Sequence, residues 1–309
     1  MPTPSASSAI PAIHTVELAK RYAKTVALSG LTMTVPQGEV FGFLGPNGAG
    51  KTTAVKLLLG LTGPTSGEGF VLGAPLGDRA TRRRIGYLPE LFRYQNWMKA
   101  REVLGLHCEL SGMPRSDWKA EIASALELVG LSDRADDKVE GFSKGMQQRL
   151  GLGVALLGRP ELVLLDEPTS ALDPVGRHDV REIIRTLKAR GTAVFLNSHL
   201  LTEVEMVCDR VAMVDQGRVI ATGRLDQVLR HDSCRVRVTG LAPRQRAGLS
   251  RFAQIDDDGE WVTFHGLDAQ KVPELVEELV RLGGRVYAVE SRQQTLEDRF
   301  LELLGVHSA

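Results

Sequence analysis

The sequence predicts an α/β core built on a parallel sheet, interrupted by a helical insertion and followed by a smaller α+β domain. Two apolar strands, Leu162–Leu165 and Thr192–Leu196, flank a helical stretch at Arg177–Arg190, and this alternation builds parallel sheets. A third apolar strand, Val40–Leu44, leads through a glycine-rich loop into a helix over Lys51–Leu59. These observations place the core in the α/β class.

The residues before this core favour an antiparallel β subdomain. From Ile13 to Val40 the pattern is short and β-like, and Thr32–Val35 alternates before the turn Pro36–Gly38. Residues 1–12 are rich in Pro, Ser and Ala and lack a basic start and a sustained apolar stretch. We therefore expect a disordered tail there rather than a signal peptide.

The helical insertion is predicted over about residues 93–158. Within it, Met146, Leu150, Val154 and Leu157 have the spacing of one apolar helix face. The α/β core and this insertion together are expected to span residues 13–230.

A second domain is expected over residues 232–309. Its predicted order of elements is β-α-β-β-α-β, which is that of the ferredoxin-like fold. The assigned segments are strand Arg235–Val238, a short helix, a strand, strand Trp261–Phe264, helix Ala269–Leu282 and strand Arg285–Val289.

Composition and charge exclude several classes of protein. The 309 residues contain 38 Lys and Arg against 38 Asp and Glu, so a field broad enough to hold nucleic acid by charge alone is not expected. The three cysteines, Cys108, Cys208 and Cys234, lack C-x-x-C spacing, which argues against a zinc site or a disulfide framework and for a reducing, cytosolic setting. No uncharged run reaches about 18 residues, so a membrane role requires another chain.

The glycine-rich loop carries the strongest chemical signal. Gly45 to Thr52 reads Gly-Pro-Asn-Gly-Ala-Gly-Lys-Thr, which satisfies G-x-x-x-x-G-K-[ST] between a predicted strand and a predicted helix. Glycines let backbone N–H groups close around phosphates, and the helix N-terminus adds partial positive charge. Lys51 is expected to reach the β and γ phosphates, and the Thr52 hydroxyl to coordinate Mg²⁺. The loop predicts a P-loop NTPase core.

Polar residues follow two of the predicted strands. Asp166 and Glu167 come directly after Leu162–Leu165, and His199 follows the next strand along the chain. Open α/β sheets bind their ligands at this edge. Asp166 is expected to hold Mg²⁺ through its water shell, and Glu167 to polarise the water that attacks the γ phosphate.

A further anion site is predicted at the start of the helix that follows Phe142. Ser143 is the predicted N-cap there, and a hydroxyl beside a glycine at a helix start can bind an anion. Ser-x-Gly is common, so this pattern alone is weak evidence.

Taken together, these segments resemble the ATP-binding subunit of an ABC transporter. The resemblance covers roughly residues 13–230 and implies ATP hydrolysis with ATP and Mg²⁺ as cofactors. One copy of each motif implies a head-to-tail pair of subunits with two ATP molecules at the interface. The motifs are Gly45–Thr53, Phe142–Arg149, Leu165–Pro174 and Asn197–His199.

The resemblance also implies residue roles. Glu167 is the implied catalytic base and His199 the γ-phosphate switch, while Ala171-Leu172-Asp173 matches the loop that crosses the dimer seam. Tyr22 is the implied aromatic ring on adenine, and Ser143 with Gly145 would contact the nucleotide of the second subunit. The implied catalytic residues are Glu167, His199 and Glu90; the nucleotide-binding residues are Tyr22, Asn47, Gly48, Gly50, Lys51, Thr52, Thr53, Ser143, Gly145 and Asp173; and the metal ligands are Thr52, Asp166 and Glu90.

Two positions depart from the usual family pattern. Glu90 stands where glutamine is usual, and its carboxylate can bind Mg²⁺ but adds negative charge near the γ phosphate. Lys144 stands in the signature segment where glycine is usual and adds a cation. Both variants are similar to those of exporter ATPases that handle drugs, antibiotics, lipids or polysaccharides. This similarity implies export through a separate membrane permease, with the chain at the cytoplasmic face of the membrane.

The main alternative is a soluble ABC ATPase that acts on the ribosome or on DNA. Ribosome-acting members typically carry two ATPase halves, and DNA-repair members carry a long coiled coil; this chain has one half and no sustained heptads. A GTPase is disfavoured because N-K-x-D is absent. An RNA-binding role for the second domain is disfavoured because it lacks the aromatic RNA-binding motif, so no nucleic-acid partner is expected.

Overall fold

The computed structural model describes residues 10–170, 172–229, 233–292 and 295–305. Contacts divide the chain between Arg224 and Leu225 into two compact units. The sequence-based expectation placed this boundary slightly later, near residue 231. Part of the predicted tail, residues 1–9, and Ala171 of the predicted seam loop lie outside the described residues.

The first unit contains ten strands and seven α-helices among its described residues. The strands are β1 Ile13–Tyr22, β2 Thr25–Val35, β3 Val40–Leu44, β4 Ser66–Val71, β5 Ala74–Pro75, β6 Ile85–Leu88, β7 Leu162–Asp166, β8 Ala193–Ser198, β9 Arg210–Asp215 and β10 Arg218–Arg224. The helices are α1 Lys51–Leu58, α2 Arg79–Arg82, α3 Ala100–Leu110, α4 Trp118–Leu128, α5 Lys144–Ala155, α6 Pro174–Ala189 and α7 Leu201–Val207.

The second unit alternates strands with short helices. Its elements are α8 Leu225–Val228, β11 Ser233–Thr239, α9 Pro243–Ala247, β12 Gln254–Asp257, β13 Trp261–His265, α10 Val272–Arg281, β14 Arg285–Arg292 and α11 Leu296–Leu303.

A six-stranded sheet forms the centre of the first unit. Its order is β10-β9-β3-β8-β7-β6, and all neighbours pair in parallel except β10, which runs antiparallel to β9. Strands β3 and β7 are buried at every position, as expected for short apolar strands covered on both faces. The α/β prediction is confirmed. Since β3, β8 and β7 are adjacent and parallel, the loops that follow them leave the same edge of the sheet.

A second sheet, ordered β2-β1-β4-β5, is the predicted antiparallel β subdomain. Its buried leucines Leu18, Leu28 and Leu31 share one core cluster with Phe43 of β3. This sheet also corrects the predicted tail of residues 1–12. Ala12 is fully buried, and its carbonyl accepts a hydrogen bond from the Leu72 amide at 2.9 Å, because an apolar residue next to β1 continues the core.

Helices α3, α4 and α5 form the predicted helical insertion. Of the four residues predicted to share one apolar helix face, only Leu150 is buried, whereas Met146 and Val154 are half-buried and Leu157, also half-buried, lies beyond the end of α5. The glycine face of α5 is also packed against neighbouring residues, because a Cβ on Gly151 would lie 2.7 Å from Phe92 Cζ. The buried surface of α5 is therefore wider than the predicted apolar face, because buried glycines such as Gly151 do not stand out in a hydropathy pattern.

Helix α6 begins three positions before the predicted Arg177. Asp173 caps it by accepting the Gly176 amide at 2.8 Å on Oδ1, and Pro174 occupies the first helical position. Both residues are favoured at these positions. The cap extends the helix back to the loop that follows β7.

The second unit has the predicted ferredoxin-like arrangement. Its sheet order is β12-β13-β11-β14, with antiparallel neighbours throughout. Val236, Val262 and Phe264 on the sheet pack with Leu275 and Leu279 of α10. In the described part of the whole chain, no helix has the length and hydropathy needed to cross a membrane.

Candidate functional site

A cleft of about 340 Å³ lies where the loops after β3, β6, β7 and β8 meet. It brings together most of the residues that the sequence singled out. The lining residues are Thr25, Val26, Ala27, Pro46, Asn47, Gly48, Gly50, Lys51, Thr52, Thr53, Glu90, Asp166, Glu167, Asn197 and His199.

The loop after β3 requires glycine at specific positions. Gly48 and Gly50 have φ of +84° and +99°, a region that residues with a Cβ rarely adopt. A Cβ on Gly50 would lie 2.3 Å from the Ala27 carbonyl oxygen, whereas one on Gly48 would meet nothing within 4 Å. Gly50 also precedes α1 without a side-chain cap. The first amide groups of α1 are thus available to an anion.

Lys51 is buried at the base of the cleft. Its ammonium donates hydrogen bonds to the carbonyl oxygens of Gly45 at 2.7 Å and Pro46 at 3.3 Å. Burial lowers the pKa of Lys51, while the carboxylates of Glu167 and Asp166 oppose that shift. A cation held among loop carbonyls at the edge of an anion site is suited to meet a phosphate group.

Asp166 ends β7 and is almost completely buried. It lies opposite Asn197 in the parallel register of β7 and β8, and the Asn197 amide donates a hydrogen bond to Asp166 Oδ1. Burial is the main cause that raises the pKa of Asp166, and Glu90 and Glu167 raise it further, whereas the bond from Asn197 lowers it. A buried carboxylate among like charges favours a bound cation.

Glu167 has a strained backbone and a fixed side chain. Its φ of +53° lies in the left-handed region, which costs a non-glycine residue about 1–3 kcal/mol. A hydrogen bond maintains this strained conformation: the Glu167 amide donates to the Asn197 carbonyl at 2.9 Å. The Glu167 Oε2 atom lies 2.8 Å from Nδ1 of the half-exposed His199 ring and accepts a hydrogen bond from the His199 backbone amide at 3.4 Å. This geometry turns the carboxylate towards the end of β8.

The other residues expected in the cleft are also present. Asn47 and Thr52 are exposed to it, Thr53 is half-buried, and Glu90 follows β6 with its side chain exposed. The Glu90 charge contributes to the raised pKa of Asp166 and acts on Lys51. Among the described residues, no three His, Cys, Asp or Glu side chains are grouped as a metal site.

Four of the sequence-predicted residues lie away from the lining of this cleft. Tyr22 is at the end of the β1–β2 hairpin, exposed, with the Lys20 ammonium 5.0 Å from its ring centroid. Ser143 caps α5 by accepting the Met146 amide at 3.2 Å, and Gly145 lies in the first turn of that helix. Asp173 is exposed at the start of α6.

The sequence analysis missed the role of Asn197. It is 1% exposed, it bonds to Asp166 through its side chain and to Glu167 through its carbonyl, and its Oδ1 atom is buried without a hydrogen-bond partner. A second missed contact joins α5 to the loop after β7, where the Gln148 amide donates to the Pro168 carbonyl at 2.9 Å. The available signal was a polar residue directly after the predicted apolar strand Thr192–Leu196.

The chain is similar to known proteins over almost its whole length. Residues 28–170 match the family described as ABC transporter. An ABC transporter ATP-binding protein of Nostoc sp. (strain PCC 7120) is 42% identical over 282 residues, covering 90% of this chain and 83% of that protein. The Nod factor export ATP-binding protein I of Rhizobium meliloti (strain 1021) is 37% identical over 301 residues, covering 95% and 88%. A solved ATP-binding subunit of an ABC transporter is 31% identical, with a TM-score of 0.63, covering 70% of this chain and 91% of that one.

Proposed function

This chain belongs to the ABC transporter family of ATP-binding proteins, and we propose that it powers export through a membrane permease encoded as a separate chain. It is an ATPase of the ABC type. The proposed location is the cytoplasmic face of the membrane. The proposal of export is supported by the similarity to the Nod factor export ATP-binding protein I.

The observation that carries the proposed mechanism is the convergence of Lys51, Asp166, Glu167 and His199 on one cleft. Lys51 and the amide groups of the glycine loop bind the β and γ phosphates of ATP. Glu167 accepts the proton of the attacking water, which it polarises through its carboxylate. His199, held at 2.8 Å from Glu167, orients this carboxylate and contacts the γ phosphate.

The donor set of the cleft suits Mg²⁺. Thr52, Asp166 and Glu90 offer only hydroxyl and carboxylate oxygens, the ligands that Mg²⁺ prefers, with substrate phosphates completing its shell. The buried Oδ1 of Asn197 has no hydrogen-bond partner and would be free to accept from a water molecule if Mg²⁺ were bound. Bound Mg²⁺ supplies positive charge against the phosphate oxygens. Glu90 makes this site more acidic than the glutamine usual in the family.

The proposed active form is a head-to-tail dimer that closes on ATP. Ser143, Gly145 and Asp173 lie away from the cleft of their own chain, which is the arrangement expected if they serve the cleft of a second copy. Ser143 presents its hydroxyl at the start of the 12-residue helix α5, where a phosphate would be favoured. Tyr22 is proposed to stack on adenine.

A groove beside the helical insertion is the proposed docking surface for the permease. It has a volume of about 890 Å³ and is lined in part by Phe92, Tyr94, Leu106 and Leu110, with Arg93 among them. Leu110 is 72% exposed, and exposed apolar side chains rimmed by charge mark interaction surfaces. An amphipathic segment of the permease fits this chemistry.

Glu167→Gln tests the catalytic proposal. The purified variant is expected to bind ATP, to lose hydrolysis by about 100-fold or more, and to accumulate as a dimer with Mg-ATP, as seen by analytical ultracentrifugation. The matched control is Glu161→Gln at the opposite end of β7, where the exposed Glu161 pairs with Arg84. A Glu167→Gln chain that hydrolyses ATP at the rate of the control would overturn the assignment of the base.

A further inference from the structure

Three residues on one side of α6 reach the α7 segment. The Arg181 guanidinium lies 2.7 Å from Glu203 Oε2, Arg185 donates to the Met206 carbonyl at 3.4 Å, and Lys188 pairs with Asp209 at 2.5 Å. Their positions in the sequence, four and three residues apart, place them on one face of the helix. The first two contacts join α6 to α7, and the third joins α6 to Asp209, which lies beyond the end of α7.

The Arg181–Glu203 pair differs from the Lys188–Asp209 pair in burial. The side chains of Arg181 and Glu203 are 17% and 10% exposed, against 44% and 22% for Lys188 and Asp209. A buried ion pair has a fixed geometry and is costly to break, whereas an exposed pair contributes little. The rigid contact between α6 and α7 is thus at the end of α7 that is nearer His199.

Short-range contacts connect Glu203 to His199. The Glu203 amide donates to the Leu200 carbonyl at 3.1 Å, and the Leu200 amide donates to Ser198 Oγ at 3.1 Å. Helix α7 has only seven residues and no side-chain cap, so its start is held by the backbone hydrogen bonds that Glu203 and Val204 donate to the Leu200 carbonyl. A displacement of Glu203 would be passed through two bonds to the backbone that carries the His199 ring.

Strand β3 holds the other side of α7. A Cβ on Gly42 would lie 2.7 Å from Val204 Cγ1 and 3.1 Å from Cys208 Sγ, so this helix packs directly on the strand backbone. Apolar packing of this kind fixes the distance between helix and sheet but leaves sliding along the strand less constrained. The directed bond from Arg181 to Glu203 supplies the missing constraint along the helix axis.

We propose that Arg181 and Glu203 are positioning residues for ATP hydrolysis, which hold His199 against Glu167. The proposal rests on the proposed roles of His199 and Glu167. It predicts an effect on turnover rather than on nucleotide binding, because neither residue lines the cleft. The pair also joins the His199 loop to α6, which Asp173 caps, so the His199 loop moves with α6.

The test compares Arg181→Met with Lys188→Met in the full-length chain. Both changes remove one cation from the same face of α6 and keep an unbranched apolar side chain. Arg181→Met is expected to lower kcat about 10-fold to 100-fold, the size of effect that a misplacement of about 1 Å produces, with KM for ATP changed less than about twofold. Lys188→Met is expected to keep the parent kcat. Thermal melting of both variants controls for loss of folded protein.

A double-mutant cycle with His199→Ala separates positioning from general damage. If Arg181 acts through His199, Arg181→Met has no further effect on kcat in the His199→Ala background. The same factor in both backgrounds would overturn the proposal. A His199→Ala chain with the parent kcat would instead overturn the proposed role of His199. If turnover in this background is below detection, hydrogen exchange of residues 198–204 decides: faster exchange in Arg181→Met than in Lys188→Met supports the proposal, and equal exchange refutes it.

Discussion

Asn197→Leu is predicted to destabilise the first unit in a pH-dependent way. The change keeps the size of the side chain but removes the hydrogen bond to Asp166 Oδ1, while the backbone bond from the Glu167 amide to the carbonyl of residue 197 remains possible. It leaves a carboxylate that is 3% exposed without this donor. The expected cost comes from the buried charge rather than from a cavity.

The magnitude follows from the nature of the lost bond. A hydrogen bond to a charged group contributes about 1.5–3 kcal/mol, and in a unit of this size that corresponds to a fall in Tm of roughly 3–12 °C. The bond from Asn197 lowers the pKa of Asp166, which burial raises, so its loss raises that pKa further. A carboxyl group with a raised pKa in the folded state lowers stability when ionised. The penalty is therefore full above the folded pKa and disappears as the pH falls below the unfolded value.

Denaturant unfolding at about pH 8 and at about pH 3.5, below the ordinary aspartate pKa of 3.8, measures this difference. The free-energy loss of Asn197→Leu is expected to be larger at the higher pH. Ser198→Ala is the control, because Ser198 is equally buried on the same strand but its Oγ bonds to the uncharged Leu200 amide. An equal loss at both pH values would refute the argument that the bond acts on an ionised Asp166. A loss under about 0.5 kcal/mol would show that the bond contributes little.

Two further changes test the cleft. Gly50→Ala is expected to abolish ATP binding and to cost more than about 1–3 kcal/mol of stability, because a clash at 2.3 Å with the Ala27 carbonyl adds to the strain of φ +99°. Gly48→Ala has no such clash and should show the strain alone. Equal losses of stability for the two variants in calorimetry would contradict this expectation. Glu90→Gln removes one charge that raises the pKa of Asp166. The acid limb of the ATPase pH profile should therefore move to lower pH, and Mg²⁺ should bind more weakly. An acid limb at the same pH as in the parent chain would show that Glu90 does not act on Asp166.

The phosphate loop could be predicted because its chemistry is local. Gly48, Gly50 and Lys51 are close in sequence. The two glycines are required by positive φ angles in the loop, and Lys51 supplies the charge beside the loop carbonyls. The helix over Lys51–Leu58 and the buried strand Val40–Leu44 were predictable for the same reason, since apolar periodicity is a local property.

Other features escaped prediction because they depend on distant residues. The covered face of α5 is formed by Gly151 against Phe92, and small residues give no signal of burial in a hydropathy pattern. Asn197 reads from the sequence as a polar residue at a strand end. Its partner Asp166 is 31 positions away and is defined only by the register of two parallel strands.

The sequence by itself determined the α/β class, the phosphate loop and the identity of the acidic and histidine side chains, because each is encoded in a short segment with its own spacing. Only the tertiary structure decided which of these groups meet. The order β3-β8-β7 sets three loops side by side, burial in that sheet raises the pKa of Asp166, and the contact of α6 with α7 ties Arg181 to Glu203. Distances and burial arise when segments pack, and no single segment contains them.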